Sequence, residues 1–281
     1  MNADTRKSDG PYDILFLTAG FLLLLIFGLR TVSGSDIWMH LAAGRHAAAS
    51  GAATTDPFSF GIQPGSPWQQ VTWLYDLMVF KLWILGGSSL VILAHAVSVI
   101  GAFLVLLPAC RSQSWQIHAA GALLLSAWIM APLFNLRPMV FCLVFLATSM
   151  TLLSRPRLGV PGMVALGLIQ VLWANMHLTF ILGIAMAAVR ALEMFLLRRK
   201  NPDVEALRQT SPAVYGGVTV GLAALSCLTP FGPRLFADAL SIFTKSDRHI
   251  MLEWISVFHR DFLSLPTGFL TTVALTLIAA V

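Results

Sequence analysis

An acid and a histidine four residues apart are the first side chains in this sequence that could handle a proton. They are Asp36 and His40, in the segment SDIWMH at residues 35 to 40. Residues at this spacing share one face of a helix, and a carboxylate there can act as a general base on a hydroxyl. Asp is also a favoured helix cap. Both roles are therefore open for Asp36, and His40 is a candidate to orient it, to hold a phosphate, or to be a plain interfacial histidine.

Arginines near the ends of apolar segments are candidates for binding a phosphate. Arg137 precedes Pro138 at the start of an apolar run, where a guanidinium is costly unless it reaches lipid headgroups or meets an anion. Both partners are open for Arg137. A phosphate suits it because the planar guanidinium can bind two oxygens at once. Arg45 and Arg234 are further candidates for the same role.

The segment WANMH at residues 173 to 177 contributes two more polar candidates, Asn175 and His177. It turns the chain between two apolar runs with almost no loop, so these side chains must either satisfy exposed backbone groups or face a water-filled cavity. A metal site would need three or four converging ligands, and only Asp36, His40 and His177 are available for one. A divalent cation is therefore the less favoured cofactor, and no metal ligands are assigned.

Composition defines the class of protein that must position these residues. Of the 281 residues, 57% are hydrophobic and 11% are charged, which is far from the balance of a soluble domain. The formal net charge is +5, but the cations lie in short loops between apolar runs, as in membrane proteins. The sequence therefore predicts an all-α, polytopic transmembrane protein that contacts membrane lipids and no nucleic acid.

Apolar segments predict about eight transmembrane spans within a single domain, residues 1–281. Residues 12–30 form the first span rather than a signal peptide, because the run has the length of a span and no clear cleavage site. The chain ends inside an apolar run, so we expect the C-terminus to be truncated. The other expected spans are 88–110, 117–134, 139–154, 160–176, 179–197, 213–229 and 267–281.

The segment at residues 68–85 decides the topology. Its mixture of Trp and Tyr with Asp76 and Lys81 suits the headgroup region. If it lies on the outer surface, the N-terminus is cytoplasmic and the basic residues at 155–157 and 198–208 also lie inside, as the positive-inside rule requires. The outer side then carries a long first loop, 32–87, with interfacial helices, and a second long loop, 230–266.

These blocks resemble the GT-C superfamily of integral membrane glycosyltransferases, and more closely a largely uncharacterised bacterial group within it. The resemblance covers almost the whole chain through SDIWMHLAAGRHAAASG, TTDPFSF, PWQQVTWLYD, LRP, LWANMH, TPFGPRLF and EWISVF. It implies a GT-C-like fold in the bacterial cytoplasmic membrane and a polyprenyl-phosphate-linked sugar as donor. It also implies that Asp36 is the catalytic base, and it adds Glu253 of the EW pair to the site. The commoner family pattern has two adjacent acids, whereas Ile37 follows Asp36 here.

The sequence therefore predicts transfer of a sugar from a polyprenyl-phosphate donor to an extracytoplasmic acceptor. One alternative is a transporter or flippase of a lipid-linked or anionic substrate, which would need polar residues at mid-membrane depth. His95, Ser126 and Gln170 are nearly the only ones within the spans. The other alternative is a non-catalytic membrane subunit that keeps the fold.

Cysteine labelling tests the topology. Single cysteines introduced at Ser154 and Asn201 are expected to resist a membrane-impermeant thiol reagent added from the outer side, because the basic loops hold these positions inside. A cysteine in the loop 32–87 is the control and is expected to react. Outside labelling of the cysteine at position 154 or 201 would contradict both the topology and a site gathered on the outer face.

Overall fold

A computed structural model describes residues 11–29, 35–59, 65–106, 135–155, 157–200 and 211–244 of the chain. These residues are helical, with loops and one isolated bridge between Thr55 and Pro67, and no strand occurs among them. Backbone contacts divide the chain into a unit of Met1–Leu235 and a unit of Phe236–Val281. The following description concerns the first unit, and the expectation of a single domain stays a prediction.

The predicted all-α class is confirmed for the described residues. Within them, Trp73–Leu106 and Leu178–Lys200 are long and apolar enough to cross a bilayer, and Met139–Leu153, Val160–Met176 and Pro212–Leu225 are shorter apolar helices. The expected spans at 117–134 and 267–281 lie outside the described residues, so the count of eight stays a prediction. The helices are α1 Pro11–Gly28, α2 Ser35–Ser50, α3 Trp73–Leu106, α4 Met139–Leu153, α5 Val160–Met176, α6 Ile181–Lys200, α7 Pro212–Leu225 and α8 Arg234–Thr244, with a 3-10 turn at Leu178–Phe180.

Helix α3 is broken between the segment 68–85 and the expected span 88–110. An unbroken helix of 34 residues would be about 51 Å long, well beyond the hydrocarbon thickness of about 30 Å. Gly86 and Gly87 have non-helical torsions, and Gly87 has φ 61° and ψ −155°, a conformation that residues with a Cβ avoid. The break separates residues 73–85 from residues 88–106, and the second part alone has about the length of one span.

Side-chain hydrogen bonds show which helix ends meet. Trp73 Nε1, at the start of α3, donates to Asn175 Oδ1 at the end of α5 over 2.9 Å. Asn175 Nδ2 donates to the Leu228 carbonyl, just beyond α7, over 2.9 Å. At the opposite end of α3, Thr151 Oγ1 in α4 donates to the Val105 carbonyl over 3.2 Å. The ends that the predicted topology assigns to the outer side are thus grouped together.

Helix α2 approaches the first part of α3 closely at Gly44. A Cβ at this position would overlap the backbone carbonyl of Asp76 and would lie 2.6 Å from Phe80 Cβ. Real side chains do not make such contacts, so any residue other than glycine would force the two helices apart. Gly44 therefore permits the packing that places α2 against α3.

Replacing Gly44 by alanine tests this packing. Gly44→Ala is expected to lower the free energy of unfolding by about 1–3 kcal/mol, the usual cost of overpacking, and to lower the thermal unfolding temperature of the chain in detergent. Gly101→Ala is the matched control, because a Cβ at Gly101 in α3 meets no described atom within 4 Å and alanine favours a helix. Equal unfolding temperatures for parent and Gly44→Ala would show that the helices are not in close contact.

Candidate functional site

One apolar cluster holds the candidate residues of three separate segments at its edge. Its buried members are Ile37, Leu41, Tyr75, Val79, Val91, Leu136 and Met176. Ile37 follows Asp36, Leu136 precedes Arg137, and Met176 lies between Asn175 and His177. Burial of these apolar neighbours fixes the backbone on which the polar residues sit. The same core therefore positions four of the side chains singled out from the sequence.

Asp36 and Arg137 form an ion pair. Arg137 Nε lies 2.7 Å from Asp36 Oδ2, and the side chains of Arg137 and Asp36 are 38% and 40% exposed respectively. An ion pair this exposed contributes roughly 0–1 kcal/mol to stability, so stability alone does not account for its position. The sequence predicts each residue for the site, in different roles, but it does not predict that they contact each other.

The partner of His40 is Asp76 rather than Asp36. His40 Nδ1 lies 2.6 Å from Asp76 Oδ1, and the two side chains are 7% and 1% exposed respectively. The His40 ring also meets the Tyr75 ring edge-on, with the centroids 4.9 Å apart. Although Asp36 and His40 share a helix face, one reaches outward to Arg137 and the other points into the core.

Asp76 is a buried carboxylate that the sequence analysis missed. Gln70 Nε2 donates to Asp76 Oδ2 over 2.7 Å, and Thr72 Oγ1 lies 3.1 and 3.2 Å from the two carboxylate oxygens. The placement of residues 68–85 in the headgroup region stays a prediction, and the structure adds that Asp76 is buried within the protein. A usable signal is its place one helical turn before the apolar Val79, which indicates that this face of the helix is buried.

Gln70 connects this carboxylate to two backbone groups. Its Nε2 also donates to the Ala43 carbonyl over 3.2 Å, and its Oε1 accepts from the Ala53 amide over 3.1 Å. Because one backbone group is an acceptor and the other is a donor, the orientation of the Gln70 amide is fixed. Gln70 is thus a rigid donor to Asp76.

Asn175 joins three segments through hydrogen bonds. It accepts from Trp73 Nε1 and donates to the carbonyls of Val171, over 2.8 Å, and of Leu228. This is the first of the two uses expected for the WANMH segment, namely satisfying backbone groups.

His177 has a different environment. Its Nδ1 accepts from the Thr179 amide over 3.2 Å and lies 2.9 Å from Thr179 Oγ1. Burial, and to a smaller extent the charge of His40, lowers the pKa of His177 to about 4. The imidazole is therefore neutral near pH 7. Since Nδ1 accepts, the single proton lies on Nε2, which makes that atom a donor.

The remaining candidates lie elsewhere or outside the described residues. Arg45 is exposed on α2, and its position in the helix is not on the face shared by Asp36 and His40. Arg234 is exposed at the start of α8, and Glu253 lies outside the described residues. In the part of the chain that the structure describes, no three His, Cys, Asp or Glu side chains converge into a metal-binding group.

Comparison with known proteins adds no assignment to this geometry: no protein-family model, curated protein or solved structure matches the chain.

Proposed function

We propose that the chain is a multi-pass glycosyltransferase of the GT-C type in the bacterial cytoplasmic membrane, with its N-terminus in the cytoplasm. It transfers a sugar from a polyprenyl-phosphate donor to an acceptor on the outer face, and Asp36 is the general base. The observation that carries this proposal is the half-exposed contact between Asp36 and Arg137 at the edge of an apolar core. It brings a base and a phosphate-binding group to one place.

The chemistry requires this ion pair to open when the donor binds. In an inverting transfer the base and the leaving phosphate lie on opposite faces of the sugar, so they must be several ångströms apart. In inverting enzymes of the related hydrolytic type, the two reacting groups are about 6.5–9.5 Å apart. Arg137 and Asp36 are 2.7 Å apart. A donor phosphate competes with Asp36 for the guanidinium, and its binding leaves the carboxylate available to the acceptor hydroxyl.

Charge supports this exchange of partners. A phosphate offers more negative charge and more acceptor oxygens than a carboxylate, and a guanidinium can bind two of those oxygens side by side. While the donor is absent, Arg137 keeps Asp36 paired. Binding of the donor therefore frees the base for the step in which the acceptor hydroxyl attacks the anomeric carbon.

Polar side chains inside the apolar helices favour this function over transport. His95 Nε2 lies 3.0 Å from the Tyr75 hydroxyl and its Nδ1 lies 2.7 Å from the Val91 carbonyl. Gln170 Nε2 donates to the Phe180 carbonyl and to Ser226 Oγ. The polar groups of His95 and Gln170 are thus engaged in hydrogen bonds within the protein. A substrate path needs polar groups that face it. Ser126, the third candidate, lies outside the described residues.

Exchange of Asp36 for asparagine tests the catalytic role. Asp36 lies in the first turn of α2, where loss of its charge costs about 0.3–1 kcal/mol, and the ion pair is worth little to stability. Asp36→Asn is therefore expected to fold and to unfold close to the parent's temperature. Its rate of sugar transfer from a polyprenyl-phosphate donor is expected to fall roughly a hundredfold or more, because a general base is lost. Transfer by a correctly folded Asp36→Asn protein at the parent's rate would remove Asp36 from the mechanism.

Two substitutions of Arg137 test phosphate binding. Arg137→Ala is expected to weaken binding of a polyprenyl-phosphate sugar more than Arg137→Lys, because lysine keeps the charge and loses the two-point contact. Titration of the purified variants with the lipid in detergent measures both affinities, and Arg45→Ala is the matched control for loss of one positive charge. Affinities equal to the parent's for both Arg137 variants would leave this residue as a headgroup anchor.

A further inference from the structure

We propose that Asp76 and His40 form a buried proton-transfer dyad beside Asp36, in which Asp76 holds the Nδ1 proton of His40 and only Nε2 gains and loses a proton. His40 is the proton carrier of the dyad, and Asp76 is its positioning residue. The role of the dyad in sugar transfer rests on the proposed function, whereas its protonation pattern does not.

Hydrogen-bonding capacity fixes the tautomer. The two oxygens of an ionised Asp76 can only accept, and one of them lies 2.6 Å from His40 Nδ1, so this nitrogen carries its proton. The proton of a neutral ring then lies on Nδ1, and Nε2 presents a lone pair. This is the arrangement by which a carboxylate orients an imidazole and stabilises its protonated form during proton transfer.

Three side chains contact the Asp76 carboxylate. Gln70 Nε2 donates to Asp76 Oδ2, and Thr72 Oγ1 lies within hydrogen-bond distance of both oxygens. With His40, three side chains therefore face a carboxylate that is only 1% exposed. The cost of removing this charge from water is offset only while these contacts are kept, which restricts both the carboxylate and the imidazole to one orientation.

In sugar transfer the dyad restores the base. The acceptor O–H bond breaks as its oxygen bonds to the anomeric carbon, and the bond from that carbon to the phosphate oxygen breaks, so the phosphate leaves with the electron pair. Asp36 takes the proton and passes it to His40 Nε2, which releases it to water. Asp36 and His40 are one helical turn apart on α2, with Cβ atoms roughly 5–6 Å apart, so this transfer requires Asp36, once the donor phosphate has released it from Arg137, to turn toward His40.

Several ionisable groups from the neighbouring elements act on the charge of this dyad. Asp36 lies on α2, one helical turn before His40. On α3, the Tyr75 ring contacts the His40 ring, and the His95 ring contacts Tyr75. His177 follows α5 and is affected by the charge on His40.

Replacement of Asp76 by asparagine gives a sharp test because Gln70 cannot turn over. Its amide is oriented by the Ala43 carbonyl and the Ala53 amide, so Gln70 Nε2 must still face an acceptor. In Asp76→Asn the side-chain oxygen of the new amide is therefore expected to face Gln70, and its NH₂ group to face His40. Nδ1 of His40 then has to accept, which moves the proton of the neutral ring to Nε2.

Nitrogen-15 NMR of the full chain labelled at histidine, in lipid nanodiscs, measures these protonation states without any substrate. His40→Gln assigns the signals. In the parent we expect the neutral ring to carry its proton on Nδ1, where it faces the Asp76 carboxylate. In Asp76→Asn we expect the proton of the neutral ring on Nε2. In the control Thr148→Val, which removes a hydroxyl that bonds to the Val144 carbonyl in α4, we expect the parent pattern.

A parent His40 whose neutral ring carries its proton on Nε2 would overturn the dyad even if Asp76→Asn failed to fold. Asp76→Asn can fold and move the proton of the neutral His40 ring to Nε2, yet transfer sugar with the parent's rate and pH profile. That result would overturn the role of the dyad in sugar transfer and would leave the proposed function standing. If Asp36 is the base and His40 is a separate proton carrier, Asp36→Asn is expected to lose sugar transfer while the neutral His40 ring keeps its proton on Nδ1.

Discussion

The buried carboxylate of Asp76 is the constraint on which the packing of α2 against the start of α3 depends. A carboxylate that is 1% exposed costs several kcal/mol unless hydrogen bonds and charge replace its water. His40 in α2, Gln70 in the preceding loop and Thr72 supply these contacts. Because Gln70 also bonds to the backbone of Ala43 and Ala53, the carboxylate fixes α2, the loop and α3 relative to one another.

The position of Asp36 follows from this arrangement. Once α2 is held against α3, with Gly44 allowing the close approach, Ile37 enters the apolar core that Leu136 and Met176 complete. Asp36 then emerges where Arg137 can reach it. The buried contacts of Asp76 therefore fix the position of the exposed Asp36. Asp36 and Arg137 can exchange partners while the contacts of Asp76 remain. In the mechanism that we propose, this separation lets a donor phosphate displace Asp36 from Arg137 without disturbing the helices.

Local features of the structure could be predicted from the sequence, whereas contacts across the fold could not. The helices follow from the apolar runs, and the break in α3 falls between the segment 68–85 and the expected span 88–110. The cost of an arginine beside an apolar run indicates that Arg137 needs a partner, but its contact with Asp36 joins distant parts of the chain and depends on packing. The mixture of aromatic and charged residues around Asp76 indicates the headgroup region, whereas burial of Asp76 by α2 is a tertiary property. Helical spacing alone already separates Arg45 from the face of Asp36 and His40.

The most direct measurement is an experimental structure of the full chain with a polyprenyl phosphate bound. We predict that the phosphate oxygens lie within hydrogen-bond distance of the Arg137 guanidinium and that Asp36 has moved away from it by several ångströms, while the contact between His40 and Asp76 is kept. A bound lipid whose phosphate lies elsewhere, with Asp36 and Arg137 still paired at 2.7 Å, would contradict the account.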